Sequence, residues 1–208
     1  MRVPVPYRRD EEIWAAVEEF RRREGVGPYA DVPVDVFSIA EIVLRLDPLL
    51  APSLYDKFKV DAAISFDLTG IFLDKQAYED FENGDRWEER RLRYSVAHEV
   101  GHYVLHQREI LASFFDSIGD FRKWAGRRDD CNSAEYQAHE FAGRLLVPLE
   151  SLVRVYDEVC ATEDRRSKGW REQPNARSDL AKKIGPRFGV NRGVIEVRFH
   201  REGIWPAG

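Results

Sequence analysis

The chain has 208 residues, 43% apolar and 12% aromatic, with a formal net charge of −5 and a pI near 5.6. That composition excludes a disordered chain and, at the level of overall charge, a general polyanion binder, leaving only a local basic patch open to one. No stretch reaches the roughly 18 apolar residues of a membrane span. The N-terminal MRVPVPYRRDEE turns charged before an apolar run develops, so it does not read as a signal peptide. Two cysteines, Cys131 and Cys160, form neither a thiolate metal motif nor a disulfide framework. A cytoplasmic protein is expected.

In chain order, the first expected element is a helix from Asp10 to Glu24. Ile13, Val17 and Phe20 line one face, with Trp14 and Ala16 beside it. Asp10 is its expected cap, and Gly25 and Gly27 help end it. The segment PVDVFSIAEIVLRLDP, from Pro33, reads as a buried scaffold helix. Ser38 and Glu41 have capping-box spacing, Ile39, Ile42, Val43 and Leu46 make the apolar face, and Pro48 stops it. The runs AAISF and IFLD flank the turn signal DLTG, which predicts strands near 60–66 and 71–74 paired as a hairpin. Asn83-Gly84 marks a turn. A helix beginning soon after it should continue through HEVGHYVLH, because Leu92, Val96, Val100 and Tyr103 recur at helical spacing.

Residues 133–147 predict another helix, with Ala138, Phe141, Ala142, Leu145 and Leu146 as its apolar stripe and Pro148 at its end. Leu149 to Val159 extends to a further one. The polar TEDRRSKGWREQPNARS reads as a surface loop or linker. A short helix from Ser178 to Phe188 follows, Gly189 breaks it, and Asn191 caps a last one. No internal repeat or low-complexity segment is present. The elements sum to an α+β chain: a main domain over 1–160, then a polar loop and a helix-turn-helix-like segment over 161–208, expected to dock on the core.

The chemistry concentrates in His98-Glu99-Val100-Gly101-His102. Residues four apart on a helix share a face, so both imidazoles can reach one ion. Two neutral imidazoles suit Zn²⁺ and leave room for a third ligand and a water. Water on such an ion is a far stronger acid than in bulk, and Glu99, next to the first ligand, can accept its proton and pass it to a leaving amine. A His-x-x-x-His pair alone is weak evidence. The Glu in second position, inside a helix that Val100, Val104 and Leu105 mark as buried, makes it strong, because buried polar groups need partners. Gly101 suits close approach by another element. His106 stands one turn further on. A straight helix cannot easily aim three histidines into one tetrahedral shell, so His106 is expected behind the ligands, or as a helix-end residue satisfying backbone or a carboxylate.

The third ligand must come from elsewhere, and the stretch EYQAHEFA offers Glu135, His139 and, more weakly, Glu140. Glu135 and His139 are four apart and share a face. Either can ligate; with Glu135 on the metal, His139 would orient a ligand or bind the oxyanion. His139, Tyr136 and Tyr103, in that order, are the candidate oxyanion donors.

RLRYSVAHEVGHYVLH (91–106) and EYQAHEFAGRLLVP (135–148) together resemble the ImmA/IrrE family of zinc-dependent metallopeptidases. The likeness extends more weakly to the N-terminal half and to LAKKIGPRFGVNRGVIEVRF. It implies a minimal zincin-like fold with a small sheet, an HExxH active-site helix and a second helix bearing an acidic ligand. It also implies His98 and His102 as metal ligands, Glu99 as the catalytic glutamate and Glu135 as third ligand. The family usually has Asn where this chain has His139. Its members cut phage-type or stress-response repressors, so the resemblance implies a protein substrate, a helix-turn-helix repressor.

The expected activity is therefore zinc-dependent endopeptidase cleavage, with Glu99 and His139 in catalytic roles and no membrane partner. An extended substrate can pair with the edge of the 59–74 hairpin. Two rivals differ in class. One is a noncatalytic protein-binding module on the same fold, indifferent to loss of Glu99. The other is a DNA-binding regulator using the C-terminal helices, with Arg177, Lys182, Lys183, Arg187, Arg192 and Arg198 nearby.

Overall fold

The computed structural model describes residues 3–25, 32–84, 86–126 and 133–205; Gly27 and Cys131, named above, lie outside them. The first helix, α1 (Asp10–Arg23), buries Ile13, Val17 and Phe20. Its cap position is taken by Arg9, whose backbone N–H donates to Glu12 Oε2 at 2.7 Å. Asp10 is thus not the cap. Its carboxylate accepts instead from the Tyr136 hydroxyl at 2.7 Å and from Arg201 at 3.0 Å.

The expected scaffold helix over 33–48 is not one helix. Asp35 is the capping residue, accepting from the Ser38 N–H at 3.1 Å and the Ser38 hydroxyl at 2.8 Å, so Ser38 does not begin a helix of its own. One turn, α2 (Val36–Ser38), widens into a π-helical turn at Ile39–Val43. Arg45 then adopts a left-handed φ of 57°, which ends helical continuation. The wider turn breaks the 3.6-residue register, leaving Ile42 73% exposed while Leu46 is buried. Pro48 stops nothing; it sits inside strand β1 (Asp47–Ala51). Proline is tolerated there because β1 is an outer strand, where a missing N–H need not cost a ladder bond.

After the short helix α3 (Leu54–Phe58) come β2 (Ala62–Ile64) and β3 (Gly70–Asp74). They form the expected hairpin, antiparallel, with Ala62 opposite Leu73 and Ile64 opposite Ile71. The sheet order is β1-β3-β2, and β1 runs parallel to β3 from Asp47 opposite Gly70 to Ala51 opposite Asp74. Gly70 is required by this crossing: a Cβ there would lie 2.9 Å from the Asp47 carbonyl oxygen. β2 is therefore an outer strand, and it faces the long helix.

That helix, α5 (Arg86–Leu111), follows α4 (Lys75–Glu82) and the Asn83-Gly84 turn. Beyond it lie α6 (Ile118–Ala125) and α7 (Ala134–Leu146), the latter capped by the Ser133 hydroxyl accepting from Tyr136 N–H. α5 and α7 cross at the centre of the molecule. Phe141, Ala142, Leu145 and Leu146 of α7 are fully buried, and Phe141 meets Phe20 at 5.8 Å between ring centres. Each buried Leu or Phe side chain contributes roughly 1.5–3 kcal/mol relative to exposure.

Helix α8 (Leu149–Arg166) outruns the sequence expectation. It crosses positions 160/161 and takes in TEDRR, which the sequence reading assigned to a loop. Its last turn is held by Arg166–Glu163 and by Lys183–Glu163 at 2.6 Å. After a short 3₁₀ turn at Trp170–Glu172, α9 (Ala176–Ile184), a second 3₁₀ turn and α10 (Arg192–Glu202) close the chain. Gly189, at φ 60°, separates the last two. Glu202 ties α10 to α7, accepting from Arg144 at 2.5 Å and Arg198 at 2.6 Å in nearly buried surroundings. Among the described residues, no helix is long and apolar enough to cross a membrane. A mostly helical fold with a three-stranded sheet and an HExxH-bearing helix is consistent with a minimal zincin.

Candidate metal centre

Helical spacing does what the sequence asked of it at 98 and 102. On α5, His98 and His102 are buried, and their Nε2 atoms face each other at 3.1 Å. Glu135, in the first turn of α7, brings its carboxylate to both: Oε2 is 3.2 Å from His98 Nε2 and Oε1 is 3.7 Å from His102 Nε2. Two zinc–ligand bonds of about 2.0–2.1 Å at a tetrahedral angle separate their donor atoms by about 3.3 Å. The three measured separations bracket that value, so the donor set fits zinc in both spacing and chemistry. Among the described residues, two overlapping groups have donor atoms within 4.8 Å of one another: His98, Glu99 and His102, and His98, Glu135 and His139.

The electrostatics agree. Burial would raise the Glu135 pKa, but the two imidazoles beside its carboxylate outweigh that and hold the group far below the usual carboxylate range. Burial works against charge on His98, yet the Glu135 hydrogen bond and the Glu99 and Glu135 carboxylates raise its pKa overall. The cluster draws in positive charge, which is what a cation would supply.

Close approach of the two helices makes this possible. A Cβ on Gly101 would lie 3.1 Å from both Cα and O of Ala138 and 3.2 Å from Phe141 Cβ. The glycine inside the motif thus lets α7 lie against α5, bringing Glu135 to the histidines. The His102 ring also packs edge-on against Phe121, 5.3 Å between centres, which holds it from the α6 side.

Glu99 is buried beside the histidines and lines the cleft. Its Oε2 accepts from the Ile64 N–H of β2 at 2.8 Å. Burial raises its pKa, opposed by the charges of His102 and His98 and by the Ile64 hydrogen bond. The cleft encloses about 240 Å³ and is lined by Ala62, Ala63, Tyr94, His98, Glu99 and His139 among others. His139 is exposed at its rim. Its ring centre lies 4.3 Å from that of His98 and its Nδ1 3.2 Å from the Tyr94 hydroxyl. Burial, then the charge of His98, lowers its pKa to about 4, so it is neutral near pH 7.

Of the other residues considered from sequence, Tyr136 is committed elsewhere: its hydroxyl donates to Asp10 and accepts from Arg201 at 2.8 Å. Tyr103 packs against the core and does not line the cleft. Glu140 accepts from Trp14 at 3.3 Å and pairs with Arg201 at 3.1 Å. His106 is fully buried behind His102, Nδ1 to Nδ1 at 3.1 Å, with its Nε2 3.1 Å from Gln137 Oε1. Sequence reasoning missed Tyr94 and Gln137. Tyr94 stands four residues before His98, one turn along the same face. Gln137 was legible as a lone amide inside the apolar stripe of α7. The C-terminal cations Lys182, Lys183, Arg187 and Arg192 pair with Asp179, Glu163, Glu158 and Glu196.

No protein-family model matches the chain, and no curated protein matches it. The buried His98-Glu99-His102 cluster is consistent with a zincin-like metallopeptidase fold.

Proposed function

We propose that this protein is a zinc-dependent endopeptidase of the ImmA/IrrE type, acting in the cytoplasm on a protein substrate, a helix-turn-helix repressor. The observation that carries the catalytic reading is the convergence of His98 Nε2, His102 Nε2 and the Glu135 carboxylate at the spacing of tetrahedral zinc ligands, with Glu99 alongside. The substrate class rests on the resemblance of residues 91–106 and 135–148 to that family.

His98, His102 and Glu135 would hold the ion. Zinc, when bound, supplies Lewis acidity, making a water more acidic and polarising a carbonyl. Glu99 takes the proton of the attacking water and delivers it to the leaving amine. Neutral His139 is held at Nδ1 by Tyr94, so that Nε2–H can donate to the oxygen on which negative charge develops.

The substrate strand is placed by β2. Ser65 N–H bonds to Gly70 O and Asp74 N–H to Asp61 O, so the odd-numbered residues of β2 face β3. Ala62 and Ile64 therefore turn their backbone groups away from β3. Glu99 occupies the Ile64 N–H, and Ala62 lines the cleft, where its outward backbone groups would pair with an extended peptide.

The test combines zinc content with cleavage of an unstructured peptide and of a co-encoded repressor by wild type and Glu99→Gln. The proposal expects one bound zinc in both proteins and cleavage by wild type alone. Zinc without cleavage, and no difference between the two proteins, would point to a noncatalytic binding module.

A further inference from the structure

We infer that a buried hydrogen-bond relay, Pro6–Gln137–His106–His102, fixes which nitrogen of His102 is free to bind the metal. It rests on the metal-centre reading above and goes beyond it in assigning positioning roles to Gln137, His106 and the Pro6 carbonyl. His102, His106 and Gln137 are each 0% exposed, so no solvent can substitute for a missing partner or scramble the order of donors.

The direction of the relay follows from its end. The Pro6 carbonyl can only accept, so the Gln137 atom 2.9 Å from it is the amide NH₂. Gln137 therefore presents its oxygen to His106 Nε2, 3.1 Å away, and that nitrogen carries a hydrogen. His106 is fully buried, and among the described residues its two nitrogens meet the Gln137 amide oxygen and the His102 ring, with no carboxylate to balance a second proton, so the ring is neutral. A neutral imidazole has one N–H, so His106 Nδ1 is a bare acceptor. His102 Nδ1, 3.1 Å from it, must be the donor. That leaves the lone pair of His102 on Nε2, facing His98 Nε2 and Glu135. In the metal-free protein the proton between the two Nε2 atoms then belongs to His98.

The anchor is held independently. Residues 3–9 lie across α5, α6 and α7: Val3 N–H donates to the Ser113 hydroxyl at 2.8 Å, Trp124 Nε1 to Val3 O at 2.7 Å, and Arg8 to Leu105 O at 2.9 Å. His98 Nδ1, by contrast, is buried without a hydrogen-bond partner among the described residues. Of the two imidazoles, His102 is the one that the described residues orient from behind. Partners of this kind typically change metal affinity 10- to 100-fold.

The experiment has two arms on the full chain. The first reads imidazole ¹⁵N shifts in metal-free, histidine-labelled wild type. The relay expects the Nδ1–H tautomer for His102 and the Nε2–H tautomer for His106; the opposite assignment for either overturns it and needs no variant to fold. The second measures zinc affinity by chelator competition for wild type, Gln137→Leu, His106→Leu and His106→Asn. The leucine variants should bind zinc about 10- to 100-fold more weakly. His106→Asn, whose Oδ1 can accept from His102 Nδ1, should recover part of that loss. Wild-type zinc binding with unchanged variants overturns the relay alone. Wild type that takes up no zinc overturns the metal centre, and the relay's role with it.

Discussion

The backbone N–H of Ile64 donates to Glu99 Oε2 at 2.8 Å, tying the outer strand β2 to the acidic residue of the HExxH helix. One carboxylate oxygen is thereby occupied by the strand and the other is left for the cleft. Arg91 and Ser95 of the same helix also hold Asp61, at the start of that strand, at 2.9 and 3.4 Å.

Glu99→Gln preserves this bond, because the amide oxygen can still accept from Ile64. The variant should keep its zinc and its thermal stability. Peptide cleavage should fall by at least about 100-fold, the usual size of a general acid–base contribution. Parallel metal analysis and a cleavage assay check it; zinc loss in this variant would move Glu99 into the ligand set.

Glu135 and His139 separate by the same logic. Glu135→Ala should lose zinc on dialysis, since the carboxylate meets both imidazoles. His139→Ala should retain zinc and lose turnover, because His139 Nδ1 is held by Tyr94 at the rim. Undiminished zinc in Glu135→Ala would remove Glu135 from the shell.

Gly101→Ala should loosen the α5–α7 crossing. The new Cβ would press on the Ala138 backbone at 3.1 Å, which cannot yield without helix displacement. A loss of about 1–3 kcal/mol is expected, as for other overpacked sites. Urea unfolding reads the stability and chelator competition the zinc affinity, which should fall together.

The pH dependence of the metal-free protein carries the signature of His139. Its pKa falls from 6.5 to about 4 on folding. Between those values the unfolded chain binds the proton and the folded chain does not, so stability rises with pH there and is lost as pH falls through 4. The melting temperature of wild type should therefore drop more steeply from pH 6.5 to 4 than that of His139→Asn. Parallel profiles for the two would contradict the depressed pKa.

Glu202→Ala should leave Arg144 and Arg198 buried without their shared carboxylate. Burial already lowers the Arg198 pKa to about 10, against the pull of Glu202. Breaking a buried pair of this kind costs about 3–5 kcal/mol. Because Glu202 joins α10 to α7, denaturant unfolding should show one destabilised transition for the whole chain. A separate early loss of the C-terminal helices would argue for weaker docking.

What the sequence determined alone is local. Four-residue spacing on one helix put His98 and His102 on a common face, and the apolar period at Leu92, Val96 and Val100 marked the opposite face as core. A turn signal between two apolar runs specified the β2–β3 hairpin. The π-helical turn at 39–43 and the strand around Pro48 were not legible, because Asp35 capping and the pairing of β1 with β3 override the helical period of Ile39, Ile42, Val43 and Leu46. Tertiary structure decided what depends on distant segments meeting. It carried the Glu135 carboxylate to both histidines, sent Tyr136 to Asp10 while Tyr94 went to His139, and set Gln137 between His106 and Pro6. Periodicity reports which face of an element is buried; which partner waits on that face is set by how elements far apart in the chain cross.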